Sequence, residues 1–300
     1  MKKVLSLVIL IFIILIFYTK SEAKELYAVA TEPTVVLNTP DFSSVFGGIN
    51  GKTLKLDKSG LIREVEFVAL PGTIFKVEDV IKNGNKTIYK VTTTDYPYPT
   101  KKGYYIDKRF VGSASYKPPG IIKRLPGKER IVQNLLSARG SIYIWGGNWR
   151  EGLPQMLEWY PPSGTLKPLT KKKWILKGVD CSGLLYEATD GVTPRNTSSL
   201  ITYGEALKIK GESANQIIRK VRPLDLIVWQ GHVIIVLDKE RVIESRLDYD
   251  KKRKGNQGGV RVRALKEVLD DTLKERVPVD DYSDKASGRK KFVIRRWYNT

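Results

Sequence analysis

The 300-residue sequence holds a single cysteine, Cys181, and a single histidine, His232. One cysteine excludes an intrachain disulfide, and no cluster of metal-ligating residues is present, so neither a metal nor another cofactor is expected. Acidic residues are in deficit, with Asp+Glu 32 against Lys+Arg 52 and a formal charge of +20. That excess favours anionic partners, such as nucleic acid, anionic lipid or acidic wall polymers, without choosing among them. Internal repeats and low-complexity segments are absent. A hydrophobic content of 41% with 10% aromatics suits one or two globular domains rather than a disordered chain.

Long apolar runs are missing too, with one exception at the N-terminus. "MKKVLSLVILIFIILIFYTKSEAKE" places Lys2 and Lys3 before an apolar run from Val4 to Tyr18. A membrane span needs roughly 20 apolar residues and a signal h-region roughly 7–15, so this run reads as a signal peptide over 1–23. Ser21-Glu22-Ala23 offers small residues for cleavage before Lys24. An uncleaved anchor is the alternative. A lipid anchor is excluded because the sole cysteine lies far downstream. The expectation is export to the periplasm or cell envelope, with no stable membrane insertion after cleavage. Nucleic acid then recedes as a partner.

From 24 to 115 the chain reads as short strands rich in Val, Ile, Thr, Tyr and Phe, among them "EVEFVAL", "KTIYKVTTT" and "GYYIDKRFV". Asn83-Gly84 is a strong hairpin signal. A small all-β barrel or sandwich is expected there. Pro118, Pro119 and Pro126 mark 116–127 as a semi-rigid linker. From Lys128 the period changes: Ile131, Leu135 and Ala138 share a helical face that Gly140 can close. "SIYIWGG" is expected to be extended and to end in a glycine turn. "SGLLYEATDG" reads as a short helix and "TSSLITYGEALKI" as a second. "LDLIVW", "HVIIVLD", "RVIES" and "KFVIRRWYN" follow as strands. Helices before antiparallel strands describe an α+β domain over 128–300.

Cys181 stands where a helix would begin, and a helix N-terminus or a neighbouring imidazole lowers a thiol pKa toward the reactive thiolate. His232 is the only imidazole able to serve. The plainer readings are that Cys181 is a small buried hydrophobe and His232 a satisfied strand residue. A third group follows from register. If Asp238, Lys239 and Glu240 form a three-residue loop, Leu237 faces Arg241 and Ile234 faces Glu244. Glu244 then lies diagonal to His232 on one face, where a carboxylate can orient the imidazole. A two-residue loop would put the two on opposite faces. "VDDYSD" at 279–284 lacks calcium-loop spacing and reads as a turn. "KKRKG" at 251–255 reads as an exposed basic loop able to touch anionic polymer.

"DCSGLLYEATDG", "TPRNTSS", "RPLDLIVWQGHVIIVLD" and "VIES" together resemble the NlpC-type cell-wall peptidase family, a papain-like group, in order and rough spacing. "YIWGG" is similar to that family's tyrosine–glycine-glycine stretch before the cysteine motif. "VVLNTPDFSSVFGG" and "GYYIDKRFV" resemble the opening and close of a bacterial SH3-like domain over 24–115. The resemblance implies Cys181 as nucleophile, His232 as general base and Glu244 as the third polar residue. It implies Asp180 and Ser182 as binders of a substrate's free amino end, and Tyr143 as the tyrosine lining the oxyanion side. The implied activity is exported endopeptidase cleavage of peptidoglycan stem peptides at the γ-D-glutamyl–diamino acid bond, by a monomer. The alternatives are a papain-like amidase or acyltransferase, and a non-catalytic wall-binding protein. The third residue is commonly His, Asn or Gln in the family, whereas here it is Glu. An insertion over 148–178 holds Trp149, Trp159 and Trp174, and so many aromatics suggest a lid over the cleft or a segment packed on the linker or first domain.

Overall fold

The computed structural model describes residues 25–248, 258–286 and 288–298. The expected signal segment at 1–23 and the basic run at 251–255 lie outside the described residues.

The first part is strand-built, as its β-branched and aromatic content requires. Its elements are β1 (Leu26–Ala30), β2 (Thr34–Leu37), β3 (Phe46–Gly47), β4 (Thr53–Leu54), β5 (Val65–Ala69), β6 (Ile74–Asn83), β7 (Lys86–Thr92), β8 (Tyr104–Asp107) and β9 (Val111–Ala114). Seven of them form one sheet in the order β5-β2-β8-β7-β6-β1-β9, while β3 pairs with β4. The expected hairpin forms between β6 and β7. Asn83 pairs with Lys86, so the loop is Gly84–Asn85, with Gly84 at φ +60. The expected barrel is corrected: among the described residues no sheet closes, and β5 and β9 are the two ends of an open path. The outer edge of β5 is occupied instead. The Val68 N–H donates to Asn148 Oδ1 at 3.0 Å, and Asn148 Nδ2 donates to the Val68 carbonyl at 2.8 Å. A side chain from beyond the linker thus caps the sheet edge.

After a linker with no helix or strand over 117–127, the helix Lys128–Ser137 opens an α+β domain. Short strands β10 (Asn148–Trp149) and β11 (Gly178–Val179) pair at the base of the insertion. A larger sheet then gathers β12 (Glu205–Ala206), β13 (Leu226–Trp229), β14 (His232–Val236), β15 (Arg241–Arg246), β16 (Gly259–Ala264), β17 (Val277–Pro278) and β18 (Lys291–Arg296), in the order β12-β18-β13-β14-β15-β16 with β17 beside β18. Strand alternation gives each face its own core. Val228, Val233, Ile235 and Ile243 pack with Leu184 and Leu185 of the helix Cys181–Ala188. Ile227, Ile234, Val236 and Val242 pack under the helices Ala214–Lys220 and Leu265–Glu275. "TSSLITYGEALKI" is not one helix. Its helical turn ends at Leu200, Gly204 reverses the chain at φ +77, and β12 joins the sheet edge.

Of the two readings of the insertion, packing on the first part is the one the structure shows. Leu153, Met156, Tyr160 and Trp174 are buried in one core with Val35, Phe42, Val65 and Phe110 of the first part. Trp174 donates from Nε1 to the Tyr160 carbonyl at 2.9 Å, and the Tyr160 hydroxyl donates to the buried Asp107 at 2.5 Å. The aromatics cluster because they complete a hydrophobic core that the open sheet leaves uncovered. Trp174→Ala is therefore expected to cost about 3–5 kcal/mol, the range for truncating a large buried aromatic. Chemical denaturation should show the first part and the α+β domain losing stability together. Unfolding of the α+β domain at an unchanged midpoint would contradict a shared core.

Candidate active site

Three sequence elements converge near the start of the helix Cys181–Ala188. Asp180 is its N-cap and accepts from the Gly183 N–H at 2.7 Å, satisfying one of the donors a helix start leaves open. Cys181 is the first helical residue. Gly183 is required by packing, because a β-carbon there would lie 2.0 Å from the Gly147 carbonyl oxygen. The glycine turn of "YIWGG" and the cysteine helix thus touch backbone to backbone.

Arg195, unassigned in the sequence reading beyond its place in "TPRNTSS", ties this corner together. It is 2% exposed and donates to both Asp180 oxygens at 3.0 and 2.7 Å, to Ser182 Oγ at 3.0 Å, to Asn148 Oδ1 at 3.0 Å and to the Gly147 carbonyl at 3.2 Å. Burial opposes its charge, but Asp180 more than offsets that and holds its pKa above the ordinary arginine value. Asp180 also accepts from the Gly146 N–H at 3.1 Å. Asp180 and Ser182, expected at a substrate's amino end, are both buried and engaged with Arg195. Their carboxylate and hydroxyl brace the helix start. Just outside this network, Asn196 meets the Tyr96 and Tyr98 hydroxyls of the first part, and Glu66 accepts from Asn38 at 2.8 Å.

His232 follows a tight turn at Gln230–Gly231, where Gly231 adopts φ +99 and Trp229 pairs with His232. The Tyr282 hydroxyl accepts from the Gln230 N–H and Thr197 Oγ1 from the Gly231 N–H, which fixes the turn. The β14–β15 register pairs Ile235 with Ile243, as the three-residue loop requires. Glu244 therefore shares a face with His232, and Nε2 of the imidazole meets Glu244 Oε2 at 2.7 Å. Glu244 is fully buried. Burial alone would raise its pKa, but the hydrogen bond and charge of His232, with Arg246 and Arg261, hold the carboxyl down at about 2. With Nε2 committed to Glu244, Nδ1 is the ring nitrogen left for a reacting group.

Cys181 behaves differently from the sequence expectation. It is 6% exposed, and burial first, then the Asp180 charge, push the thiol up to about 12. The N–H groups of Val233 and Ser182 and the Arg195 charge pull the other way and lose. A helix start does not produce a thiolate when the sulfur is desolvated beside a carboxylate. The sulfur packs with Val233 and Ile235, the strand face opposite to Ile234 and Val236. The structure brings His232 and Glu244 into contact but does not bring Cys181 to them, because the sulfur packs on the opposite face of β14. Tyr143 is buried, and its phenol is pushed upward by burial and by the neighbouring Asp180 and Cys181.

Two outcomes follow. Replacing Arg195 with Met strands the buried Asp180 carboxylate and should cost roughly 3–5 kcal/mol in thermal or chemical denaturation. A near-neutral result would show that the ion pair is dispensable. For the thiol, a pKa raised far above ~8.5 means that thiolate grows only as pH climbs toward the raised value. Reaction of native Cys181 with an aromatic disulfide at pH 7 should be roughly a thousandfold slower than in the urea-unfolded chain, and should still be rising at pH 10. A fast reaction that is flat below pH 7 would instead indicate a preformed thiolate–imidazolium pair.

No family model and no curated protein matches this chain. Among solved structures it is similar to the crystal structure of a NlpC/P60 family protein from Bacillus cereus ATCC 10987, at 15% identity and a TM-score of 0.32, over 92% of this chain and 64% of that one. It thus spans about 64% of that protein's length. It is also similar to RipD from Mycobacterium tuberculosis, a non-catalytic NlpC/p60 domain protein with an adaptation to peptidoglycan-binding function, at 18% identity and a TM-score of 0.29, over 56% of this chain and 95% of that one. Likenesses of this size establish no activity for the chain.

Proposed function

We propose that this protein is an exported cysteine endopeptidase that hydrolyses peptidoglycan stem peptides at the γ-D-glutamyl–diamino acid bond. The observation that carries the reading is the 2.7 Å contact between His232 Nε2 and the buried Glu244, on the strand whose opposite face Cys181 packs against. A fully buried carboxylate costs too much to keep as ornament; here it fixes an imidazole whose second nitrogen remains available. The resting thiol is protonated, so His232 acts as a general base from its neutral form. Nδ1 takes the thiol proton once substrate binding brings the sulfur and the ring, which rest on opposite faces of β14, together at the start of that strand, and the sulfur attacks the scissile carbonyl carbon. The Cys181 N–H at the helix start and Tyr143 face the developing oxyanion. Protonated His232 returns its proton to the leaving amine as the C–N bond breaks, leaving a thioester. Water, deprotonated by His232, then releases the acid and the thiol. The first part of the chain holds wall polymer or walls one side of the cleft.

A second reading, a wall-binding protein without catalysis, is favoured by one observation: the thiol is nearly sealed from solvent and its pKa is raised. Incubating the protein from Lys24 onward with purified peptidoglycan, and identifying released fragments by mass, separates the two. The peptidase reading expects stem-peptide fragments from the parent and none from Cys181→Ser. Glu244→Gln should keep part of the rate, and Glu244→Ala should lose about 1.5–3 kcal/mol of transition-state stabilisation. Sedimentation of the protein with the wall and no released fragments would establish the second reading instead.

A further inference from the structure

Glu244 is the position at which this chain departs from the residues usual in the family it resembles, and the strand beside it carries an arrangement that accompanies the change. In the register of β15 and β16, Glu244 pairs directly with Arg261, while Arg263 pairs with Val242 on the same face. The two carboxylate oxygens have separate tasks. Oε2 meets the imidazole at 2.7 Å, and Oε1 lies 3.5 Å from both Arg261 Nε and Arg263 Nη1. Each arginine is anchored from its far side: Arg261 by Asp248 at 2.7 Å, and Arg263 by Glu267 and Asp271 at 2.5 and 2.9 Å.

We propose that Arg261 and Arg263 are positioning residues for His232, sharing the Glu244 charge so that its hydrogen bond orients the imidazole without locking it as a cation. The inference rests on the reading of His232 as the base. A carboxylate within hydrogen-bond distance raises an imidazole pKa, by roughly 1–3 units where burial is deep. A ring held protonated at neutral pH could not accept a proton from a thiol that is itself protonated there. Two guanidinium groups on the other oxygen oppose this, by drawing on the same anion and by repelling an imidazolium across it. An amide at this position would orient the ring with no charge to balance. A glutamate needs cations, and β16 supplies them.

Other charged groups surround the ring. β13 brings Trp229, 5.2 Å from the imidazole between centroids, with Arg276 stacked on it at 4.4 Å. β15 adds Arg246, which acts on Glu244 in the same sense as Arg261. The helix Leu265–Glu275 contributes Glu267 and Asp271 only through Arg263. On the other sheet face stand Cys181 and Asp180, the latter neutralised by Arg195. Among the described residues, Arg261 and Arg263 are thus the cations in direct contact with the carboxylate that holds the ring.

Because His232 is the only histidine in the chain, a nitrogen-15 imidazole NMR titration of the untagged protein reads this one ring without ambiguity. The parent should show the tautomer with hydrogen on Nε2 and a bare Nδ1 at neutral pH. Arg261→Gln and Arg263→Gln should each raise the His232 pKa by about 0.5–1 unit, with the same tautomer retained. Arg261→Lys and Arg263→Lys, which keep the charge, should titrate closer to the parent than the Gln variants do. An unchanged or lowered pKa in the Gln variants, with or without a loss of thermal stability, would overturn the proposal. Should Arg263→Gln fail to fold, Arg261→Gln decides alone, since Arg261 is 37% exposed and its loss leaves no core cavity. The titration requires no substrate, so its outcome is separable from whether the protein cleaves peptidoglycan.

Discussion

The ion pair between Arg195 and Asp180 is the constraint from which the rest of the site is built. A buried guanidinium with five donors must find acceptors, and here they come from two segments: the helix cap and first turn at Asp180 and Ser182, and the glycine turn at Gly147 with the adjoining Asn148. Asn148 in turn closes the edge of β5. One side chain therefore ties the first β-sheet to the turn before the cysteine helix. The helix start cannot shift without exposing a buried charge, and the first part cannot separate without opening a strand edge.

A second charge system lies across the sheet, and the two have different logic. Around Asp180 a single cation and a single anion are matched and enclosed. Around Glu244 one anion faces an imidazole and two arginines at once, so its charge is spread over several partners. The first arrangement is rigid. The second is balanced, and it borders the one group in the chain whose ordinary pKa lies near neutrality. Between them sits a thiol that burial keeps protonated, so the chemistry open to this site turns on the imidazole's protonation state rather than on a stored thiolate.

The open sheet and the aromatic insertion account for each other. The first part has a face rich in Val and Phe that its own chain leaves uncovered, and the segment carrying Met156, Tyr160 and Trp174 fills it. What reads in sequence as a loop with too many tryptophans is a piece of core delivered from later in the chain. Its charged neighbours follow the same plan, with Arg109 and the Tyr160 hydroxyl both meeting the buried Asp107.

Much of the site was legible in the chain. A period-2 strand offers each side chain one of two faces, so a three-residue loop at Asp238–Glu240 placed Glu244 beside His232, and the apolar run after Cys181 read as a helix. Arg195 was not legible, being one of many cations, and its partners are separated from it by 13 or more residues. Whether the insertion forms a lid or packs on the first part was not legible, because aromatic content does not say which surface the rings cover. The sequence by itself determined which groups meet across one hairpin, because that geometry is local. Only the tertiary structure decided their state, the thiol sealed and protonated and the glutamate matched by arginines from the next strand. Desolvation and charge balance depend on atoms that the chain brings together from far apart.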